Sequence, residues 1–252
     1  MIKNLAQKIS LTLLFALIII SCGTDKIPEN MAVEEIYAEG LKQFQDENWL
    51  EAKEYFDVIK LQYPASQYAD DAQYFLSEIN YERGEYIYAA FNYNLLRRVY
   101  PGSEYSKEAL YKSALCYYEL SPSYERDQEY TDKALNTFQE FQYLYPGDSL
   151  FAEASEYIED LRLKLAQREY TTAVIYRKLN SPHSALIYYD SVINKYDDTK
   201  YYESAYFGKI EVLQIMGKID EALGIITLYK RNFPGGDNIN QVKEIEKQLQ
   251  SF

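Results

Sequence analysis

Small and large apolar residues recur along the chain at fixed distances from five positions at which a turn is expected. We call these positions corners. An alanine stands twelve residues before each corner, giving the pairs Ala52/Pro64, Ala89/Pro101, Ala134/Pro146, Ala185/Asp197 and Ala222/Pro234. A bulky residue follows each alanine by four positions, and an aromatic residue stands directly before each corner. Self-similarity of this kind is the signature of a repeat architecture.

The spacing predicts that each repeat unit consists of two helices. The alanine fits a close crossing of two helices, and the residue four positions later lies on the same helical face. Proline cannot continue a helix, so the aromatic–proline step predicts a helix end. A small polar residue after the corner predicts the N-cap of the next helix, namely Ser66, Ser103, Ser149 or Thr199. Since neither helix can bury its apolar face alone, neighbouring units are expected to share a core.

Two units carry insertions. In the third, the polar stretch from Ser121 to Asp127 begins with a Ser-Pro turn signal and predicts a loop. In the fourth, the extra residues keep a helical pattern for about four further turns. That helix is predicted to end near Asn180, and the next to restart with Ser181 as N-cap and Pro182 at its first position. The long helix predicts a strut between two halves of the chain, although it could also simply add core.

The repeated unit resembles the tetratricopeptide repeat, in which alanine, aromatic and proline positions recur in the second half. Gly40 stands where that family carries a glycine in its first helix, whereas Ser77 stands there in the second unit. The resemblance implies an all-α fold, a right-handed superhelix of about five tetratricopeptide-like helix pairs.

The N-terminus resembles a bacterial lipoprotein signal. Lys3 and Lys8 precede an apolar run that is too short to span a bilayer, which predicts a secretory signal over residues 1–21. The segment from Ile19 to Cys22 resembles the lipobox, which implies cleavage before Cys22, acylation of its thiol and a lipidated tether over residues 22–31. By the enterobacterial sorting rule, Gly23 then implies the periplasmic face of the outer membrane. The alternative is an ordinary signal peptide with a coincidental cysteine.

Composition argues against several other functions. The chain has 39 acidic and 26 basic residues and a formal net charge of −13, so nucleic acid is not an expected partner. His183 is the single histidine, and Cys116 lies in an apolar stretch typical of a buried thiol. No nucleotide-binding glycine loop or nucleophile motif is present in the sequence. We therefore expect no catalytic residue, no metal site and no cofactor.

Tyrosine is the unusual residue, with 28 copies. Tyr74 and Tyr111 occupy matching places in consecutive units. Tyr81 follows Tyr74 by seven positions, Tyr118 follows Tyr111 by the same distance, and each pair lies on nearly the same helical face. By resemblance, the first helices of tetratricopeptide units line a groove, and these four positions match its lining. Tyrosine combines apolar area with a polar tip, which suits an extended peptide with aromatic side chains. Packing between neighbouring units is the alternative, and both stay open.

Three arginines form a local basic group in this acidic chain. Arg83, Arg97 and Arg98 could meet the terminal carboxylate of a bound peptide. A salt bridge to Glu82 or Glu85 explains Arg83 equally well.

The lipobox, the brief tether and the repeat units together resemble the BamD family, the lipoproteins of the β-barrel assembly machinery (BAM complex) of the Gram-negative outer membrane. The segments 63–69 and 100–105 look like that family's recurrent corner, and the tyrosine-rich, isoleucine-rich composition resembles its Bacteroidetes members. Asp197 in place of proline, and Gly235-Gly236 in place of a serine cap, depart from the pattern.

This resemblance implies a non-enzymatic scaffold. Its N-terminal repeats, residues 32–150, would hold the C-terminal segments of unfolded outer-membrane proteins. Its C-terminal repeats, residues 151–252, would bind the barrel subunit BamA, and other lipoproteins of the machinery would attach to the chain. The alternative is another envelope scaffold of the same repeat class, either pilotin-like or acting in cell-envelope coordination.

Overall fold

The fold is built from helices. The structure, a computed structural model, describes residues 27–28 and 30–251, and within these ranges no β-strand occurs. Predictions on residues 1–21, on Cys22 and on the first part of the tether lie outside the described residues. The eleven helices of the described part are α1 Val33–Gln45, α2 Trp49–Gln62, α3 Ala69–Glu82, α4 Tyr86–Val99, α5 Ser106–Leu120, α6 Glu129–Leu144, α7 Phe151–Lys178, α8 Pro182–Lys195, α9 Tyr201–Ile215, α10 Ile219–Asn232 and α11 Ile239–Leu249. The predicted all-α fold of helix pairs is confirmed.

The repeated apolar positions form the core. The five repeat alanines lie on the second helices of their pairs, α2, α4, α6, α8 and α10, and all are fully buried; they are Ala52, Ala89, Ala134, Ala185 and Ala222. The residues four positions later are also fully buried, namely Phe56, Tyr93, Phe138, Tyr189 and Ile226. So are the residues eight positions after each corner, namely Ala72, Ala109, Ala154, Ala205 and Val242. The apolar positions that recur in the sequence are therefore the positions that are buried in the structure.

The corner prolines differ from the repeat alanines, because they lie outside both the helices and the core. All four are exposed in the turn that directly follows the second helix, namely Pro64, Pro101, Pro146 and Pro234. The sequence pattern assigned the two residues different roles, a helix end to the proline and a close helix crossing to the alanine. The physical reason is that proline acts through its missing N–H, which stops the helix wherever its ring points.

The fourth corner shows that proline is not required for this turn. Asp197 is exposed at the same place, and the Tyr196 N–H before it donates to the Val192 carbonyl at 3.0 Å. The Tyr63 N–H makes the equivalent bond to the Ile59 carbonyl at 2.9 Å before its proline. The departure of the fourth corner from the pattern therefore leaves the local geometry unchanged.

The corners end the second helices as predicted, but the predicted caps are wrong. Each second helix has as its C-cap the aromatic residue before the corner, namely Tyr63, Tyr100, Tyr145, Tyr196 or Phe233. The N-caps of α5, α7 and α9 are Tyr105, Leu150 and Lys200, and none of them makes a side-chain cap hydrogen bond. Ser66, Ser103 and Thr199 instead close an extra turn before the helix, as where the Ser106 N–H donates to the Ser103 carbonyl at 3.1 Å. In the third corner the Asp148 carbonyl, not that of Ser149, accepts the equivalent bond from the Phe151 N–H at 3.1 Å.

Both insertions take the predicted form. Helix α7 is 28 residues long, and α8 begins at Pro182 with Ser181 as its N-cap. The loop of the third unit is ordered around Gln128, whose buried amide nitrogen donates to the carbonyls of Ser123 at 2.9 Å and Arg126 at 3.0 Å. The polar loop is therefore fixed by hydrogen bonds from a buried side chain.

The chain contains two compact units, one ending at Ala69 and the other beginning at Asp70. In the first, Gly40 of α1 lies against α2, where an added Cβ would stand 3.0 Å from Phe56 Cε1. In the second, buried side chains of successive helix pairs form the core clusters. The predicted division of labour between residues 32–150 and 151–252 stays a prediction.

The turns inside the helix pairs contain residues in the left-handed conformation, and replacing one of them should stabilise the fold. Glu47 has φ 58°, whereas Gly84 has φ 71° at the same place in the next pair, where its N–H likewise donates to the carbonyl three residues back. A left-handed conformation costs a residue with a Cβ about 1 kcal/mol. We expect Glu47→Gly to raise the free energy of unfolding by about 1 kcal/mol in urea titrations. Glu51→Gly, inside α2 and exposed, is the control and should lower it by a similar amount.

Candidate functional site

Side chains of consecutive first helices contact one another along a surface that we call the first-helix face. The Tyr74 hydroxyl of α3 donates to Glu108 of α5 at 2.8 Å. The Tyr118 hydroxyl of α5 donates to Asp160 of α7 at 3.0 Å. Tyrosines and charged groups from three helix pairs therefore lie on one face within the second compact unit.

Two of the predicted groove tyrosines are packing residues in this structure. Tyr74 is 7% exposed and Tyr111 is 4% exposed. The Tyr74 ring stacks on Tyr105 with 4.1 Å between centroids, and the Tyr111 ring lies 5.1 Å from that of Phe141. Burial, followed by nearby carboxylates, raises the pKa of both phenols. The packing alternative accounts for these two residues, and peptide binding by them stays a prediction.

The stacking of Tyr74 is itself repeated. Tyr37 stacks on Tyr68 at 4.6 Å in the first compact unit, and the Tyr170 ring lies 5.3 Å from that of Tyr201 in the second. In each case a tyrosine of a first helix meets a tyrosine that follows the next corner. The tyrosine count therefore partly reflects a structural device that joins one helix pair to the start of the next.

The other two predicted tyrosines, Tyr81 and Tyr118, are half-buried and each carries a lysine above its ring. Lys112 Nζ lies 4.9 Å from the Tyr81 ring centroid, and Lys164 Nζ lies 5.7 Å from that of Tyr118. Such cation–π contacts are favourable by about 0.5–1 kcal/mol at exposed sites. Burial raises the pKa of both phenols to about 12, for Tyr118 with the help of Asp160, so both hydroxyls stay protonated donors near neutral pH.

The two lysines differ in their other partners. Lys112 Nζ lies 3.1 Å from the carboxylate of Glu78, which is nearly buried and also accepts a hydrogen bond from Tyr93. Lys164 donates to the neutral hydroxyl of Ser121 at 2.9 Å. Lys112 is thus committed to a buried acid, whereas the charge of Lys164 is available to a ligand.

The sequence reasoning did not find these lysines. Each lies on the first helix of the repeat unit after that of its tyrosine, but at a different place: Lys112 stands 11 residues after Pro101 and Lys164 stands 18 residues after Pro146. No recurrent position in the sequence therefore pointed to them.

The three predicted arginines are not brought together with the tyrosines. Arg83 pairs with Glu85 at 2.9 Å, which is one of the two salt bridges expected as an alternative. Arg97 of α4 pairs at 2.6 Å with Glu140 of α6, so this contact joins second helices. Arg98 is exposed on α4. A role for these arginines at a peptide carboxylate stays a prediction.

Little in the described part of the chain offers reactive chemistry. Among residues 27–28 and 30–251, no group of three or more His, Cys, Asp or Glu side chains could hold a metal ion. No helix in these ranges has the length and apolar character needed to cross a membrane. Burial raises the pKa of the Cys116 thiol to about 12, which disfavours the reactive thiolate.

Successive helix pairs with a polar and aromatic face define a helical-repeat protein. Residues 29–231 match the family YfiO, described as outer membrane lipoprotein, and the chain belongs to this family. The resemblance to the BamD family is thereby confirmed.

Two relatives and one solved structure are similar to this chain. The outer membrane protein assembly factor BamD of Caulobacter vibrioides is 26% identical over 207 residues, covering 82% of this chain and 68% of the relative. The protein of the same name from Rickettsia prowazekii is 22% identical over 250 residues, covering 98% and 100%. A solved TPR repeats protein of Bacteroides fragilis aligns with a TM-score of 0.47 and 13% identity, covering 87% of this chain and 98% of that one.

Proposed function

We propose that this protein is a non-enzymatic scaffold lipoprotein that helps to assemble β-barrel proteins and insert them into the outer membrane. The observation that carries the proposal is the family match over residues 29–231, together with relatives named as outer membrane protein assembly factors. In this account the chain is anchored through Cys22 on the periplasmic face. Its repeats bind unfolded barrel proteins and the other subunits of the machinery.

The first-helix face is the proposed site for unfolded barrel proteins. Tyr81 and Tyr118 are only half-buried, so their rings can contact aromatic side chains of an extended peptide. Lys164 lies beside Tyr118 with a neutral partner, so it can meet the peptide's terminal carboxylate in a charge-assisted hydrogen bond. Lys164 is thus a further candidate for the role expected of Arg83, Arg97 and Arg98.

The C-terminal repeats are the proposed site for the permanent partner, a BamA-like barrel subunit with periplasmic domains. Helix α7 is long enough to separate two binding regions along one chain, because its 28 residues span about 42 Å at the rise of an α-helix. One chain could then hold a passing substrate and a machine subunit at different places. Other lipoproteins of the machinery would attach to the same scaffold.

The carboxylate contact gives a direct test. We expect Lys164→Gln to weaken binding of a labelled synthetic peptide that ends in phenylalanine with a free carboxylate by about tenfold, because a charge-assisted hydrogen bond is lost. Binding of the same peptide as its C-terminal amide should hardly change. Fluorescence anisotropy with the purified protein measures both.

Lys230→Gln is the matched control, because Lys230 lies on the second helix α10 and pairs with Glu246. It should leave both affinities as in the parent. Equal binding of free acid and amide by the parent protein would contradict the proposed role of Lys164.

A further inference from the structure

A cleft of about 480 Å³ opens between the second helices α4 and α6, on residues that the first-helix face does not use. We call it the second-helix cleft. Ile87, Phe91 and Asn94 of α4 line one wall, and Tyr117 of α5 also lines the cleft. The opposite wall is formed by α6, with Tyr130, Lys133, Asn136, Thr137 and Glu140.

The α4 wall exposes large apolar side chains. Ile87 is 56% exposed and Phe91 is 60% exposed, one helical turn apart. Tyr88, beside them on the same helix, is 66% exposed. Exposed apolar groups gathered at a concave surface mark interaction sites, because each leaves apolar area in contact with water until a partner covers it.

The α6 wall presents a cation. Lys133 Nζ lies 5.0 Å from the Tyr130 ring centroid and 5.9 Å from that of Tyr117, and donates to Glu129 at 2.6 Å. An ammonium has three donors, so the pair with the exposed Glu129 leaves capacity for another carboxylate. The acid that lines this cleft, Glu140, is neutralised by Arg97 at 2.6 Å. Lys133 is therefore the charged donor that the cleft can present to an acidic side chain.

Amide side chains stand on both walls. Asn94 Nδ2 donates to the Ala90 carbonyl at 2.8 Å and to the Tyr117 hydroxyl at 3.2 Å, and Asn136 is exposed on the opposite wall. Both N–H donors of Asn94 are used in these bonds, so its Oδ1 can accept from a peptide N–H, and the exposed amide of Asn136 can both donate and accept. A helix has already paired its own backbone groups, whereas an extended chain has them free. The walls therefore suit an extended occupant better than a helix.

We propose that the second-helix cleft binds an extended segment of a partner protein in which large apolar and acidic side chains alternate. The apolar side chains cover Ile87 and Phe91, and an acidic one meets Lys133. The backbone of the segment runs between Asn94 and Asn136. This site is separate from the first-helix face and needs no free chain terminus.

The test uses two labelled nine-residue peptides with both ends blocked, one alternating leucine and glutamate, the other leucine and lysine. Blocked ends remove the terminal carboxylate that is proposed to bind at Lys164, so Lys164→Gln should bind the leucine–glutamate peptide as the parent does. We expect the full-length protein to prefer the leucine–glutamate peptide. Phe91→Ser and Lys133→Gln should each weaken this binding by about tenfold in anisotropy titrations, as expected for anchor residues.

Two variants serve as controls. Tyr143→Ser changes an 84% exposed side chain of α6 that does not line the cleft, and Lys107→Gln removes an exposed cation paired with Asp148. Both should bind as the parent does. Equal affinity for the two peptides, or parent-like binding by Phe91→Ser, would overturn the proposal. So would sedimentation data in which the chain dimerises and Phe91→Ser abolishes the dimer, because the occupant would then be a second copy.

Discussion

A leucine in place of Ala89 should lower the free energy of unfolding by about 1–3 kcal/mol, the usual cost of overpacking a well-packed core. Ala89 is fully buried on α4 in a cluster with Tyr93, Leu96 and Ala109, so the added carbons have no free space. Because this cluster also includes Ala109 and Cys116 of α5, the loss should reach the following helix pair as well. Urea titrations followed by circular dichroism measure the change.

Tyr88→Leu is the matched control for this prediction. Tyr88 precedes Ala89 on the same helix but is exposed, so its replacement should change the unfolding free energy by less than about 0.5 kcal/mol. If Ala89→Leu unfolds at the same urea concentration as the parent, the assigned phase of the repeat is refuted.

Replacing Cys22 by alanine should release the protein from membranes or leave its precursor uncleaved. The prediction rests on the lipobox resemblance of residues 19–22, which lie outside the described structure. Two acyl chains anchor a protein stably, whereas one gives only marginal binding. Cell fractionation shows the location, and the intact mass of the mature protein shows the modification.

Cys116→Ala is the control for the anchor, because Cys116 is a buried thiol within α5. That variant should stay in the membrane fraction. A mature protein whose N-terminus carries no lipid mass would show that Cys22 is not the anchor.

The helix pairs could be predicted from sequence because their determinants are local. An alanine, a bulky residue four positions later and a proline after an aromatic residue all act within one or two helical turns. The ends of α7 and the start of α8 were predicted from equally local signals at Asn180, Ser181 and Pro182. The serine caps failed because the corners contain an extra turn that Ser103 closes through its backbone carbonyl.

The corner prolines show what a recurrent position does not reveal by itself. Pro64, Pro101, Pro146 and Pro234 recur as regularly as the buried alanines, yet all four are exposed. Recurrence marks a constraint on the chain, and the constraint can act on the backbone as well as on packing. The chemistry of each residue already predicts its role, a helix end for proline and a close helix crossing for alanine, and the structure shows that only the alanines are buried.

The candidate site was harder to predict because its contacts join different units. Tyr74 and Tyr111 have the same periodicity whether they line a groove or pack between helices, and only the structure shows them buried. Lys164 could not be matched to Tyr118 because no recurrent position in the sequence points to it. Arg97 was grouped with the tyrosines by closeness in sequence, yet it lies on a second helix and pairs with Glu140.

Affinity purification of the full-length protein from outer membranes, followed by quantitative mass spectrometry, tests the central claim most directly. The account predicts that a BamA-like barrel protein with periplasmic domains is recovered in amounts close to that of the tagged chain. The Cys22→Ala form, purified in parallel from detergent extracts of whole cells because it should leave the outer membrane, controls for capture that depends only on membrane anchoring. Recovery of a pilus or cell-envelope coordination system, without any barrel protein, would contradict a role in β-barrel assembly.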